Sequence, residues 1–336
     1  MGRNTNIRGV LQAAVAMTAV GTLTAVSATV SRYPVYGGQA VRYATAAVIL
    51  LVVARLRGPR PGPRARWEWP LLAALAATGL AGFNVCIVEG TRYTSPATIG
   101  TVVGSVPVVL AVVAPLMEGR RPAARTVAAA AVVTAGAALA NGLGGGSLPG
   151  LLLALGALAG EVCFSLLALP LLPRLGAVRV SAYSAGAAVP MLLAAGLAVD
   201  GGSVLRTPTR GEAAGLGYLT LVVTVGAFIA WYDALGRVGA DRAGLFAGLI
   251  PVSAVATTMA LGLRSPGRAE LTGALLVGIG VVVGLKRSAE RPLAVAAPAN
   301  RHDPAHDEEG HQEHAHDDQH PEDRVFVAEK AADHGV

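Results

Sequence analysis

Long apolar runs, interrupted by short clusters of arginine, glycine and proline, set the rhythm of this chain. A hydrocarbon core of about 30 Å takes roughly 20 apolar helical residues to cross. Runs of that order stand at 9–30, 35–56, 69–89, 96–117, 123–141, 149–171, 178–199, 212–234, 241–262 and 268–286. The pattern predicts an all-α integral membrane protein of ten transmembrane helices. Two runs are weaker than the rest: 123–141 is short and alanine-rich, and 178–199 is broken by Pro190. The first run follows Arg3 and Arg8 much as a signal peptide would. With nine more runs behind it, an uncleaved first helix is expected.

The residues between the runs test the count separately. With the N-terminus in the cytoplasm, inner segments carry seventeen Lys and Arg, among them Arg55, Arg57, Arg120, Arg121, Arg174, Arg179, Arg237 and Lys286. Outer segments carry six: Arg32, Arg92, Arg206, Arg210, Arg264 and Arg268. Positive charge favours the cytoplasmic side, so the bias predicts an even number of crossings with both termini inside, as in a multi-pass plasma-membrane protein. Trp67 and Trp69 stand at the inner edge of the third run, where interfacial tryptophans collect.

Composition agrees. Of 336 residues, 53% are hydrophobic and 14% charged, with mean hydropathy +0.54. A soluble domain carries about 25% charge. Residues 1–300 hold a net charge of +14 and residues 301–336 one of −8. The basic residues fall between apolar runs rather than in a stripe, which argues against nucleic acid as a partner. Cys86 and Cys163 both lie within apolar runs and read as buried thiols.

One phrase is written twice. "GTVVGSVP" at 100–107 returns 144 residues later as "GLFAGLIP" at 244–251. At that offset Gly82 meets Gly226, Gly100 meets Gly244, Gly104 meets Gly248, Pro107 meets Pro251, Pro122 meets Pro266 and Gly136 meets Gly280. A repeat of five spans has an odd number of crossings, so its second copy enters the membrane from the opposite side. Inverted repeats are a recurrent design in secondary transporters, with the substrate site near the midplane between the halves. The expected organisation is a first repeat over 1–145, a second over 146–290 and a tail over 291–336. Within each repeat the Gly-xxx-Gly spacing lets backbones approach closely and the proline supplies a hinge. Ordinary helix packing accounts for the same residues without a transport role.

The stretch "EGTRYTSPATIGTVVGSVPVVLAVVAPLMEGRRPAARTVAAAAVVTAGAAL" at 89–138 resembles the fourth- and fifth-helix signature of the drug/metabolite transporter superfamily, EamA type. "WYDALGRVGADRAGLFAGLIPVSAV" at 231–255 resembles the same signature in the second half, and "QAVRYATAAV" at 39–48 its helix-two segment, with Arg42 as the arginine. The resemblance extends over about 9–286. It implies a ten-helix inner-membrane carrier that exports small metabolites, amino acids or drugs, often by proton antiport. Glu118 matches the glutamate that closes helix four, but its second-half counterpart is Gly262. Glu89, Glu161 and Asp233 stand where the commoner pattern has aromatic, apolar or basic residues.

A charge in the hydrocarbon costs about 2.5–3.5 kcal/mol on insertion scales, so each needs a reason. Glu161 is twelve residues into its run, roughly 18 Å deep at 1.5 Å per residue. Ala157, Glu161 and Ser165 make a small, polar stripe on one helix face. A carboxyl there suits proton exchange in a coupled carrier, or a protonated acid bonded to a neighbouring helix. Arg42 lies roughly 10 Å from the outer edge, where it could pair with Glu161, hold an anionic group of a solute, or snorkel outward. Glu89 and Asp233 share a repeat register and end their runs at opposite mouths, as gate acids or as solvated interface charges. Trp231, Tyr232, Asn84 and Ser105 complete the candidate path, with helix packing as the competing reading.

All seven histidines fall in the last 36 residues. Six of them, His302, His306, His311, His314, His316 and His320, alternate with carboxylates in "HDPAHDEEGHQEHAHDDQH". Dense charge and low hydrophobicity predict a disordered tail. It could hold Zn²⁺, Ni²⁺ or Cu²⁺ loosely, or serve only as a soluble extension. The partners implied are a small solute, protons and membrane lipids, with self-association into a homodimer and weak metal binding by the tail as additions; no resident cofactor is expected. A metal-efflux carrier fed by the tail and a non-transporting sensor or scaffold are the alternatives. The spans contain no histidine, no Gly-x-Ser-x-Gly and no His-Glu-x-x-His, so an enzyme is not expected.

Overall fold

The computed structural model describes residues 2–58, 62–63, 66–142, 147–260, 262 and 267–285. Every regular element among them is helical: α1 (Gly2–Gly21), α2 (Val35–Leu56), α3 (Glu68–Gly90), α4 (Pro96–Val103), α5 (Val106–Met117), α6 (Ala124–Asn141), α7 (Leu148–Leu166), α8 (Leu172–Asp200), α9 (Arg210–Val238), α10 (Leu249–Ala260) and α11 (Arg268–Leu285). Short helical pieces at Leu23–Ser27 and Ala28–Val30 extend α1, and Ala240–Ala243 with a 3-10 turn at Gly244–Gly248 leads into α10. Eight helical stretches among the described residues are long and apolar enough to cross a membrane, α4 and α5 counting together as Thr98–Met117, and Ala124–Ala140 forms a shorter apolar helix.

Large apolar side chains cover much of the exterior, and many alanines lie inside. Val48, Leu152, Leu221, Leu275 and Val282 are exposed, while Ala16, Ala46, Ala130, Ala137, Ala154 and Ala157 are fully buried. Water would oppose so wide an apolar exterior, whereas lipid rewards it and leaves small residues to bring helices together. The most extensive packing joins α6 to α11 and α2 to α8. In the first of these, Gly273 lies on Gly136 and Ala140, Gly280 on Ala129 and Val133, and Gly284 on Ala129. As one number falls the other rises, so the two helices run antiparallel. A Cβ on Gly136 would stand 2.7 Å from the Gly273 carbonyl oxygen, and one on Gly280 would stand 3.0 Å from that of Ala129. Only hydrogen fits at such a crossing.

The chain also returns where a crossing would bring it. Ser147, after α6, donates from its backbone N–H and its hydroxyl to the Tyr93 carbonyl before α4, at 3.3 and 3.1 Å. Thr101 donates to the Gly142 carbonyl at 3.0 Å, and Arg125 Nε to that of Val283 at 3.1 Å. The α4–α5 pair and α6 therefore cover the same thickness in opposite directions.

Several elements differ from the sequence reading. The fourth run is two helices, parted at Gly104–Ser105. Pro107 and Pro251 sit in the first turns of α5 and α10, where a missing N–H costs nothing, so each opens a helix and kinks none. Pro190 lies inside the continuous part of α8; the break falls instead at Gly176, whose φ of 74° suits glycine. The sixth run ends its helix at Leu166 and continues as turns in which Ala168 and Leu171 are buried and Pro170 is exposed. Two π-helical stretches, Ala76–Gly82 in α3 and Leu219–Gly226 in α9, were not foreseen. Both close on a glycine, where a Cβ would meet the carbonyl five residues back, at 2.7 Å for Gly82 and 3.3 Å for Gly226.

Candidate functional site

Helix α7 runs between α3 and α9. Glu161 stands thirteen residues, roughly 20 Å, from its first residue. On one side Gly160 packs on the Thr78 carbonyl and Phe83, and Phe164 covers Gly79. Thr78 and Gly79 belong to the π-helical centre of α3 and Phe83 follows it directly, so Glu161 lies at mid-depth of that span. On the other side Ser165 receives a hydrogen bond from Trp231 Nε1 at 3.2 Å and donates to the Glu161 carbonyl at 3.4 Å. Tyr232 donates to the Phe164 carbonyl at 3.4 Å and lies within electrostatic reach of the Glu161 carboxyl. That carboxyl, half-buried, has no hydrogen-bond or ion-pair partner among the described residues. An unpartnered carboxyl in a low-dielectric interior can hold a proton or face a cationic group, and is costly with neither.

Aromatic rings wall this region. Phe164 stands 4.8 Å from Phe228 and 5.0 Å from Tyr232 between ring centroids, and Tyr43 stands 6.3 Å from Phe228. Asn84 Nδ2 donates to the Tyr43 hydroxyl at 3.3 Å and to the Leu80 carbonyl at 2.7 Å. Arg42 is 5% exposed and does not snorkel. Its Nε donates to Thr224 Oγ1 at 2.5 Å, its Nη1 to Gln39 at 3.2 Å, and its guanidinium carbon lies 5.3 Å from the Tyr43 ring centroid. Thr224 belongs to the π-helical stretch of α9, so the arginine points to mid-depth. No ion pair joins it to Glu161 among the described residues.

The other sequence candidates are placed elsewhere. Glu89 accepts from Tyr36 at 3.3 Å and pairs with Arg92 at 3.3 Å. Asp233 accepts from Gln12 at 2.8 Å and from Arg237 at 3.2 Å. Each mouth acid thus holds an arginine one turn on. Glu118 pairs with Arg120 at the surface. The Ser105 hydroxyl donates back to the Val102 carbonyl at 2.6 Å. Gly104 packs on Ala137, Gly244 on Leu110, and Gly248 on Val133 and Val277, while the Gly100 carbonyl accepts from the Gly104 N–H. His302, His306, His311, His314, His316 and His320 lie outside the described residues. Among the described residues no three His, Cys, Asp or Glu gather as a metal site.

Sequence reasoning missed Tyr43, Phe164 and Phe228, and also two buried acids. Glu68 heads α3 and takes a bidentate pair from Arg174; Glu212 heads α9 and takes one from Arg206. The signal was present, because these acids are 144 residues apart.

Residues 7–142 match the EamA-like transporter family. Over 233 residues the chain is 26% identical to the uncharacterized transporter YetK of Bacillus subtilis (strain 168), covering 67% of this chain and 71% of that one. A crystal structure of a protein superposes with a TM-score of 0.68 at 18% identity, covering 85% of this chain and 97% of the other, a likeness of fold alone. With eight apolar helical stretches of spanning length, the chain is a multi-pass membrane protein, and its residues 7–142 are similar to the EamA-like transporter family.

Proposed function

We propose that this protein is a secondary active transporter of the plasma membrane that exports a small metabolite, amino acid or drug in exchange for protons. Two five-crossing halves, inverted relative to each other and with both termini cytoplasmic, alternate access to a site at mid-depth. The inverted halves are supported by elements that recur at one spacing. Helix α6 (Ala124–Asn141) and helix α11 (Arg268–Leu285) have equal length at an offset of 144, and run antiparallel against each other. The π-helical stretches end at Gly82 and Gly226, at the same offset. Contacts recur in pairs as well: Gly136 on Val277 is matched by Gly280 on Val133. Such self-complementary pairing is what a two-fold relation between the halves produces. Two equivalent helices that run antiparallel cross the bilayer in opposite senses.

The observation that carries the function is the Glu161 carboxyl, unpartnered at mid-depth between α3 of the first half and α9 of the second. A carrier that exchanges protons for solute needs one group that both can occupy in turn, in a place water reaches from one side at a time. The test is metabolite profiling of cells overproducing the wild type or Glu161→Gln at matched membrane abundance. Solutes that the wild type moves to the medium are expected to stay inside with the variant, and dissipating the proton gradient should have the same effect on the wild type. Equal export by both proteins, unaffected by the gradient, would overturn the role of Glu161.

A further inference from the structure

The two missed acids form matching closures at opposite ends of the helices. At one end Arg174, in the first turn of α8 ahead of the break at Gly176, donates to both oxygens of Glu68, and its Nη1 donates to the Gly62 carbonyl at 3.1 Å. Glu68 is completely buried. Nearby Arg179 Nη2 reaches the Ala54 and Gly58 carbonyls at 3.3 and 3.1 Å, which ties the end of α2 to α8. At the other end Arg206, between α8 and α9, donates to both oxygens of Glu212, with Nη1 to Oε2 at 2.9 Å. The same arginine donates to the Arg32 carbonyl at 3.0 Å and lies 4.9 Å from the Tyr33 ring centroid, while the Tyr33 hydroxyl donates to the Arg206 carbonyl at 2.7 Å. Helix α2, 22 residues and roughly 33 Å long, separates Tyr33 from Gly58, so the two closures stand on opposite faces.

Each closure has three corners, and the corners correspond. Glu68 and Glu212 are 144 apart, as are Gly62 and Arg206. The third corner is the first turn of α8 at one face and the turn between α1 and α2 at the other. In both, a loop and an acid from one half meet a turn of the other half. Only the arginine has changed corner. Charge-assisted bidentate pairs of this kind are strong and directional, and a nearly buried carboxylate is costly once its partner is removed. Each closure is therefore suited to two discrete arrangements: fully made, or opened to water with both charges solvated.

We infer that Glu68–Arg174 and Glu212–Arg206 are the two latches of the transport cycle, one on each face, and that each opens only while the other is closed. This rests on the alternating-access reading above. Both are closed here, and Tyr43, Phe164, Phe228 and Tyr232 are all buried.

The experiment measures distances by pulsed electron resonance between spin labels across each face, in full-length protein in lipid with Cys86→Ala and Cys163→Ala. One pair replaces the exposed Trp67 and Pro170, beside the first latch; the other replaces the exposed Arg32 and Pro208, beside the second. Glu68→Gln is expected to add a longer-distance population at the first pair and leave the second unchanged. Glu212→Gln is expected to do the reverse. The charge swap Glu68→Arg with Arg174→Glu should restore the wild-type distribution at the first pair. Unchanged distances in both neutralised variants, or loosening of both faces by either one, would overturn the latches. Metabolite profiling of the unlabelled wild type reads export separately, so an absence of export would defeat the transport reading whatever the distances are.

Discussion

Arg42 and Glu161 are opposite charges in one apolar interior that do not pair. Arg42 is held by Thr224, and that single hydroxyl takes its Nε at 2.5 Å. Thr224→Val keeps the shape and deletes the acceptor, which leaves a buried charged donor unpaired. The loss should cost about 1–3 kcal/mol, read as a lower unfolding temperature in detergent; an unchanged transition would mean the guanidinium finds another partner. Both charges were legible in the sequence, because an ionisable residue inside an apolar run stands out. Tyr43, Phe164 and Phe228 were not, since an aromatic in such a run looks like packing and these three come from separate helices. Glu68 and Glu212 were hidden for the opposite reason. They sit at the ends of runs, where a charge usually faces water, and only tertiary folding buries them.

Among the elements, glycines decide which helices touch. Gly280 lies against the backbone of α6, whereas a Cβ on Gly278 would meet nothing within 4 Å. Gly280→Val should force α6 and α11 apart and destabilise the protein by about 1–3 kcal/mol. Gly278→Ala, in the same helix, should be neutral or stabilising by up to about 1 kcal/mol. Parallel thermal unfolding of the two variants checks the contrast, and equal effects would remove the close crossing. Run positions and the glycine repeat were readable because lipid demands length and hydrophobicity of every crossing. Breaks were less so. Pro190 promised one and gave none, since neighbouring helices can satisfy the carbonyl a proline frees. Gly104, Gly82 and Gly226 stood out as repeat glycines without showing what kind of break each would make, and Gly176 gave a break with no warning stronger than a glycine among forty-two.

At the scale of the molecule, the account depends on two halves that traverse the bilayer in opposite senses. The antiparallel crossing of α6 and α11 and the paired ends of the loops both follow from it. The offset of 144 residues was visible in glycines and prolines alone; the recurrence of whole elements at that offset needed the fold. Equivalent segments follow α2 and α8, beginning at Arg57 and at Gly201, 144 residues apart. Single cysteines at Arg57 and Gly202, in a background lacking Cys86 and Cys163, can be labelled with a membrane-impermeant thiol reagent in intact cells and in inverted vesicles. Arg57→Cys should react only in inverted vesicles and Gly202→Cys only in intact cells. Reaction of both from the same side would contradict the inverted halves and the carrier built from them.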